Sequence, residues 1–375
     1  MLRKSSAPKG LLQRIASDKL LWLLLLVLPL LGRLNPLPLS QWPWLVDWPT
    51  LGTLSGLLML TKGIELSGAL QKIGHNMITR MHSERHLALF LVAASGILAM
   101  VLTNDVALFI VVPLTLGLHG MATNLPTVRL VVFEALAVNA GSTLTPIGNP
   151  QNLLLWHRSG TSFIEFTMAM APLAGLMSGL LLLLTLGSFS GRRIETVEDL
   201  RTPAVRENTL AISLAMFAVF LYLIDRHQVG WALSLVICGY LLTVREVPRR
   251  SDWNLILVFL LMFVDLRLLA GLDTIRNLIE ASGQGGTSSF VAATATSQLI
   301  SNVPATILLS DPHRDWRALA YGADVGGFGL MIGSLANLIA LRLVGNRRAW
   351  IVFHGFSLPF LAVCGGLAYC LWFSR

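Results

Sequence analysis

Residues 87–118 read LALFLVAASGILAMVLTNDVALFIVVPLTLGL, apolar at both ends and interrupted midway by Thr103, Asn104 and Asp105. The stretch is too short for two full crossings of a bilayer core, each of which takes about 20 residues. A polar break cannot face lipid either, because lipid satisfies no backbone N–H or C=O. Both limits are met by a re-entrant helical hairpin whose tip is buried in protein or lines a wet cavity. Residues 287–310, TSSFVAATATSQLISNVPATILLS, repeat the design, with Ser301 and Asn302 at the break.

The rest of the chain agrees that the solvent is lipid. Of 375 residues 54% are hydrophobic, 32 more are Gly, and only 13% are charged, against about 25% in a typical soluble domain. Mean hydropathy is +0.68, more apolar surface than one soluble core can hide. The net charge of +8 does not mark a nucleic-acid binder, because the basic residues form short clusters between uncharged runs rather than one helix face. Cys238, Cys364 and Cys370 lie in apolar stretches without paired spacing and are expected to pack. His75, His82, Glu84 and His86 form a cluster, but HSERH lacks the HExxH order and sits in a basic loop. No metal site is expected beyond a transported or coupled Na+. No GxxxxGK[ST] segment occurs, so nothing supports ATP-driven transport, and no constellation supports an enzyme.

Outside the hairpins, uncharged runs predict nine crossings at about 20–34, 50–69, 130–156, 166–190, 208–224, 228–244, 253–272, 318–344 and 349–373. The first is read as an uncleaved span after a basic N-terminus, 1–19, and it ends in the Pro- and Trp-rich belt LNPLPLSQWPWLVDWPT. With the N-terminus cytoplasmic and the C-terminus outside, nineteen Lys and Arg fall on the inner side and seven on the outer, with Lys62 and Arg267 in the membrane. That is the bias of an inner-membrane protein. Threading either hairpin as a single crossing would move every later loop to the wrong side.

The chain also repeats itself. LLMLTKGIELSGAL at 57–70 aligns with LLMFVDLRLLAGLD at 260–273, TNDVA at 103–107 with SNVPA at 301–305, and TPIGNPQNLL at 145–154 with LMIGSLANLI at 330–339. The first block enters the membrane from opposite sides in the two halves. The expected fold is therefore an all-α polytopic membrane protein, an inverted repeat with two re-entrant hairpins and two broken transmembrane helices. Its units are a first repeat at 20–190, a connecting loop and spans at 191–252, and a second repeat at 253–375. Such interrupted inverted repeats point to a secondary transporter, the alternative of another class being a non-transporting membrane receptor or scaffold, which would keep the architecture without needing a charged tip.

The breaks carry the chemistry. Each tip places N-cap residue types at the start of a half-helix, whose free N–H groups and dipole suit an anion, while carbonyls ending the preceding arm suit a cation. Gly148 and Gly333 permit unusual backbone, Pro150 removes a donor, and the amides of Asn149, Asn152 and Asn337 can orient a ligand. Asp105 is an acid at membrane depth, either a partner for a bound cation or proton or a capping carboxylate at a wet tip. Lys62 and Asp265 occupy equivalent repeat positions, where a charge pair across the pseudo-two-fold axis would have a structural role. Asp324 stands where the first half has Asn139, and it and Glu134 are read as supporting or proton-relay groups, with a place near the cytoplasmic interface as the alternative for Glu134.

LTNDVALFIVVPLTL, NAGSTLTPIGNPQN, SQLISNVPATILL and VGGFGLMIGSLANLIAL together resemble the ion transporter superfamily, especially its citrate-transporter-like membrane domain, over essentially the whole chain past residue 20. The resemblance implies that Thr103, Asn104 and Asp105, with Ser301, Asn302 and Val303, occupy positions that carry Ser-Asn-Thr at the substrate and ion sites of the related divalent anion:sodium symporters. It implies a sodium site at Gly148, Asn149, Pro150, Gln151 and Asn152 shared with the first tip, and a second at Gly333, Ser334 and Asn337. It further implies elevator motion of a transport domain, usually in a homodimer. Asp105 and Val303 depart from the third position of that motif. A carboxylate there repels a dicarboxylate unless a cation or proton offsets it, so an oxyanion, a neutral hydroxide species such as arsenite and cation/proton exchange stay open as cargo. The expected partners are a small anionic solute and membrane lipid, with Na+ or H+ as coupling ion and no other cofactor.

Overall fold

The computed structural model describes residues 19–69, 72, 83–118, 125–194, 204–281, 283, 285–311 and 314–374. The basic residues of segment 1–18, and His75, Arg80, His82, Arg201 and His313, lie outside them. Helix α1 (Lys19–Leu34) runs into a short 3-10 turn at Leu39–Leu45, and α2 (Trp48–Leu66) starts with Pro at its first turn and an Asp47 side chain that accepts from Thr50 N, as expected of a well-capped start. The first hairpin consists of α3 (Glu84–Val101) and α4 (Asn104–Leu118). The predicted crossing at 130–156 is two helices, α5 (Thr127–Ser142) and α6 (Pro150–Ser159), followed by α7 (Phe163–Ser188) with a Ser162/Glu165 capping box. Next come α8 (Glu207–Asp225), α9 (Val229–Thr243), the short α10 (Glu246–Arg250), α11 (Trp253–Ala270) and α12 (Asp273–Ala281). The second hairpin is α13 (Gly286–Ile300) and α14 (Asn302–Leu309), the second broken helix is α15 (Trp316–Val325) and α16 (Leu335–Val344), and α17 (Arg347–Trp372) closes the chain.

Five described helices, α3, α7, α8, α11 and α17, are long and apolar enough to cross a membrane. Their outer faces carry exposed large apolar residues such as Ile97, Leu183, Leu214, Leu257 and Ile351, which water would penalise and lipid does not. Helix α3 begins three residues before the expected start of the hairpin at 87. Its 18 residues span roughly 27 Å, because Ser83 caps the helix and starts it before Leu87. The tip between α3 and α4 stays where the sequence put it.

Helix packing repeats between the halves. In each, the first hairpin arm packs on the first segment of its own broken helix, α3 on α5 and α13 on α15. The second arm packs on the segment after the other half's break, α4 on α16 and α14 on α6. Both arm contacts need backbone proximity. A Cβ on Gly141 of α5 would lie 2.1 Å from Gly96 O of α3, and one on Gly322 of α15 would lie 2.3 Å from Phe290 O of α13. Around this core stands a second group, in which α2 packs against α8, α9 and α11, and α1 lies against α11. The groups meet where α2 touches α6 and α11 touches α14.

One expected contact is absent. Lys62 does not reach Asp265; its ammonium pairs with Glu65 at 2.5 Å. A partner one helical turn away costs less side-chain ordering than one across the molecule. Asp265 is left 3% exposed in α11, with neither carboxylate oxygen hydrogen-bonded among the described residues.

Candidate functional site

At the first tip Asn104 N donates to Gly148 O at 2.8 Å, which fastens the hairpin to the break between α5 and α6. Thr145 Oγ1 donates to Met100 O at 2.6 Å on the other side of the tip. Asn104 Oδ1 accepts from Asp105 N at 2.9 Å. Asp105 follows in the first turn of α4, 7% exposed, and its Oδ1 has no hydrogen-bond partner among the described residues. A capping carboxylate accepts from a backbone N–H two or three residues on, and Oδ1 makes no such bond. The carboxylate borders a cavity of about 20 Å³ with Thr103, Pro150, Leu54 and Leu58 of α2, and Phe259 of α11. That volume holds about one water molecule and lies where the two helix groups meet.

Within the first break Asn149 caps α6, its Oδ1 accepting from Asn152 N at 2.8 Å, and Pro150 takes the first helical position. Asn149 Nδ2 donates to Ser142 O at 3.2 Å and Asn152 Nδ2 to Thr143 O at 3.2 Å. These bonds bind the ends of the broken helix to each other and leave Asn152 Oδ1 and Gln151 Oε1 unpartnered among the described residues.

The second tip is built alike with one difference. Asn302 Oδ1 accepts from Val303 N at 2.9 Å, as Asn104 does for Asp105, but the preceding Ser301 holds φ +77°, ψ 155° and makes no side-chain cap. A non-glycine residue in that region is strained, and the uncapped first turn of α14 presents N–H groups to the site. Val303 is buried beside it. The second break is held by Gln298, whose Nε2 donates to Gly326 O at 2.7 Å and Phe328 O at 2.9 Å while its Oε1 accepts from Leu330 N at 2.8 Å. Gln298 and Leu330 align with Met100 and Thr145, so both tips are tied to their breaks at equivalent positions. Gln298 was missed in the sequence reading; its signal was a long amide three residues before the second tip, facing Met100 in the repeat.

The halves are joined at the centre by a second equivalent pair. Asn139, in the last turn of α5, donates through Nδ2 to Asn337 Oδ1 at 2.9 Å and accepts from Ser334 Oγ at 3.1 Å. Asp324, its counterpart in α15, accepts at Oδ1 from Asn149 Nδ2 at 3.1 Å and Gln151 Nε2 at 3.0 Å. Each half thus reaches into the other half's break. Asp324 is 2% exposed and its Oδ2 has no hydrogen bond among the described residues. Gly327 joins the second tip to this centre: its Cβ position lies 3.2 Å from Asn302 Nδ2 and 3.7 Å from Asn139 Cγ, and its carbonyl accepts from Asn337 Nδ2 at 2.9 Å. Gly333 packs against Gly326 O and Phe328 O.

The structure thus brings Asn104, Gly148, Asn149, Pro150, Asn152 and Asp324 into one connected cluster, and Ser301, Asn302, Asn139, Ser334 and Asn337 into the adjoining one. Lys62 stays outside. Glu134 stays at a distance along α5, fully buried, accepting from Thr115 Oγ1 of α4 with its Oε2 unpartnered among the described residues. Of the histidine-loop residues, Glu84 is tied to Ser190 at 2.6 Å and His86 Nδ1 lies 3.1 Å from Ser83 Oγ.

The architecture has known counterparts. The family model described as citrate transporter matches residues 11–311. The chain belongs to the citrate transporter family. Within reach of that family it is 45% identical over 361 residues to the inner membrane protein YbiR of Escherichia coli K12, covering 96% of this chain and 97% of that one. It is 33% identical over 330 residues to an uncharacterized transporter of Methanocaldococcus jannaschii, 86% and 88% covered. A silicon efflux transporter of rice is 29% identical over 175 residues, 43% of this chain and 36% of its own. The crystal structure of the YdaH transporter of Alcanivorax borkumensis superimposes with a TM-score of 0.55 at 15% identity over 97% of this chain and 99% of that one, a likeness of fold. Like its relatives in the citrate transporter family, this chain is a membrane transporter and not an enzyme.

Proposed function

We propose that the protein is a secondary active transporter of the bacterial inner membrane that moves a small anion together with Na+ or H+ through the paired hairpin tips. The supporting observation is a set of buried acceptors without partners among the described residues, Asp105 Oδ1 at the first tip and Asp324 Oδ2, Asn152 Oδ1 and Gln151 Oε1 around the first break, together with the uncapped start of α14 at the second tip. A buried carboxylate oxygen with no donor is costly unless a cation or proton occupies it, and helix N-termini supply the complementary anion contacts. Asp105 faces the cavity between the core and the α2/α11 group, where one small cation fits. Movement of the hairpin core against α2, α8, α9 and α11 would then alternate access, with the apolar α2 and α11 surfaces as the sliding face. The N-terminus is cytoplasmic and the C-terminus outside in this scheme, and the assembly is a homodimer.

The second reading, efflux of a neutral hydroxide species of the arsenite type or Na+/H+ exchange, is favoured by one feature. The cluster holds two carboxylates and no Lys or Arg among its described residues, which disfavours a multiply charged anion. Counterflow in proteoliposomes separates the readings. Uptake of a labelled anion that answers to a Na+ or proton gradient supports the first, whereas Na+-driven proton movement without any anion supports the exchanger. Absence of both fluxes across a broad solute panel would overturn the assignment of transport to this site.

A further inference from the structure

The base of the first hairpin plays no part in that scheme. There the starts of α3 and α5 meet the end of α7 around an open pocket of about 670 Å³ lined by Arg85, Arg129, Arg192 and Glu84. Arg129 Nη1 donates to Ser188 O at 2.6 Å with its guanidinium 5.7 Å from the Phe189 ring centroid, and Arg85 Nε donates to Phe189 O at 3.0 Å. These bonds aim the forks and leave most of their donors without a partner among the described residues. Glu84 is occupied by Ser190, at 2.6 Å to its Oγ and 3.3 Å to its N. None of the three arginines forms an ion pair among the described residues. The start of α5 adds to the positive field, for Pro126 occupies its cap position and no side chain caps it.

Three arginines at the end of a transmembrane bundle call for a phosphate-bearing anion, because guanidinium forks match phosphate oxygens bidentately. The surface beneath the pocket identifies the source. The last turns of α7 expose Leu182, Leu183 and Leu186, at 36%, 65% and 43%, an apolar strip leading straight to Gly187 and Ser188 in the pocket wall. We propose that this pocket binds the headgroup of an anionic phospholipid, whose acyl chains lie along Leu183 and Leu186. Basic pockets between helices on the cytoplasmic side are a known mode of lipid recognition. The site also has a mechanical consequence. The start of α3 is strapped to the segment after α7 by Glu84 N to Arg192 O and Arg85 N to Ser190 O, both 3.0 Å, so a headgroup seated there joins hairpin, α5 and strap into one rigid base.

The test is thermal unfolding and native mass spectrometry of the purified full-length protein with added phosphatidylglycerol, with phosphatidylcholine, and with inorganic phosphate alone. Phosphatidylglycerol is expected to stabilise the protein and be retained in the gas phase while phosphatidylcholine is not. Arg192→Gln, whose side chain makes no internal bond among the described residues, should weaken the apparent lipid affinity about fivefold, the effect of one surface charge. In the wild-type protein 0.5 M NaCl should suppress the shift, since exposed charges are screened; this arm does not depend on any variant folding. Equal shifts with both lipids, an Arg192→Gln protein that binds as well as wild type, or insensitivity to salt would overturn the proposal. So would an equal shift with inorganic phosphate alone, which would make the pocket a site for a free anion.

Discussion

Asp324 offers the sharpest separation between architecture and transport chemistry. Its Oδ1 accepts from Asn149 Nδ2 and Gln151 Nε2. In Asp324→Ala, Gln151 Nε2 loses its one partner among the described residues, and a buried orphan donor costs about 1–3 kcal/mol. Asn149 loses one bond, worth about 1 kcal/mol, but keeps Ser142 O at 3.2 Å. The sum is about 2–4 kcal/mol. In Asp324→Asn the amide oxygen can keep both acceptances; each bond weakens by about 1 kcal/mol on loss of charge, and removing an unpaired buried charge offsets this. Asn also restores the match with Asn139. The Asn variant should therefore unfold close to wild type in a thiol-reactive dye assay in detergent, and the Ala variant several degrees lower, at about 2 °C for each kcal/mol. In flux measurements Asp324→Asn should alter the Na+ or pH dependence while the fold persists. Equal melting of Ala and Asn variants would refute the hydrogen-bond assignment, and unchanged ion dependence would refute the charge's role.

Asn104→Ala and Asn302→Ala should abolish flux with membrane expression intact, each losing the amide that orders its tip; normal flux in both would remove the tips from the site. Asp105→Asn should shift or remove the ion dependence of transport at near-normal stability, and a dependence identical to wild type would leave the carboxylate without a function. Ser301→Gly should raise stability by about 1 kcal/mol by releasing the left-handed strain, whereas Ser301→Ala should not; the melting temperatures of the pair decide it. Gly141→Ala should destabilise by at least about 1–3 kcal/mol, because its Cβ would sit 2.1 Å from Gly96 O and the helices must separate; unaltered melting would contradict that approach.

Both breaks and both tips were legible because lipid leaves few explanations for polar residues such as Asn104, Asn149 and Asn302 inside apolar runs. The repeat located Asp324 through its alignment with Asn139, and the structure shows why the position matters, since each reaches the opposite break. The repeat could not disclose the pairing itself, for Asn139 and Asn337 lie 198 residues apart and nothing local marks the contact. Gln298 stayed hidden because an amide near a helix end reads as a surface residue until the backbone it clamps is seen. The Lys62–Asp265 pair failed because equivalence in a repeat is not proximity, and Glu65 stood one turn away.

A cryo-EM map of the protein in saturating Na+ with the anion chosen by the flux assay tests the central claim most directly. Density is expected between Asn104 and Asn149 on one side and Asn302 and Asn337 on the other, with a small cation beside Asp105. Dry packing of both tips under those conditions, with the solute seated among α2, α8 and α9 instead, would contradict it.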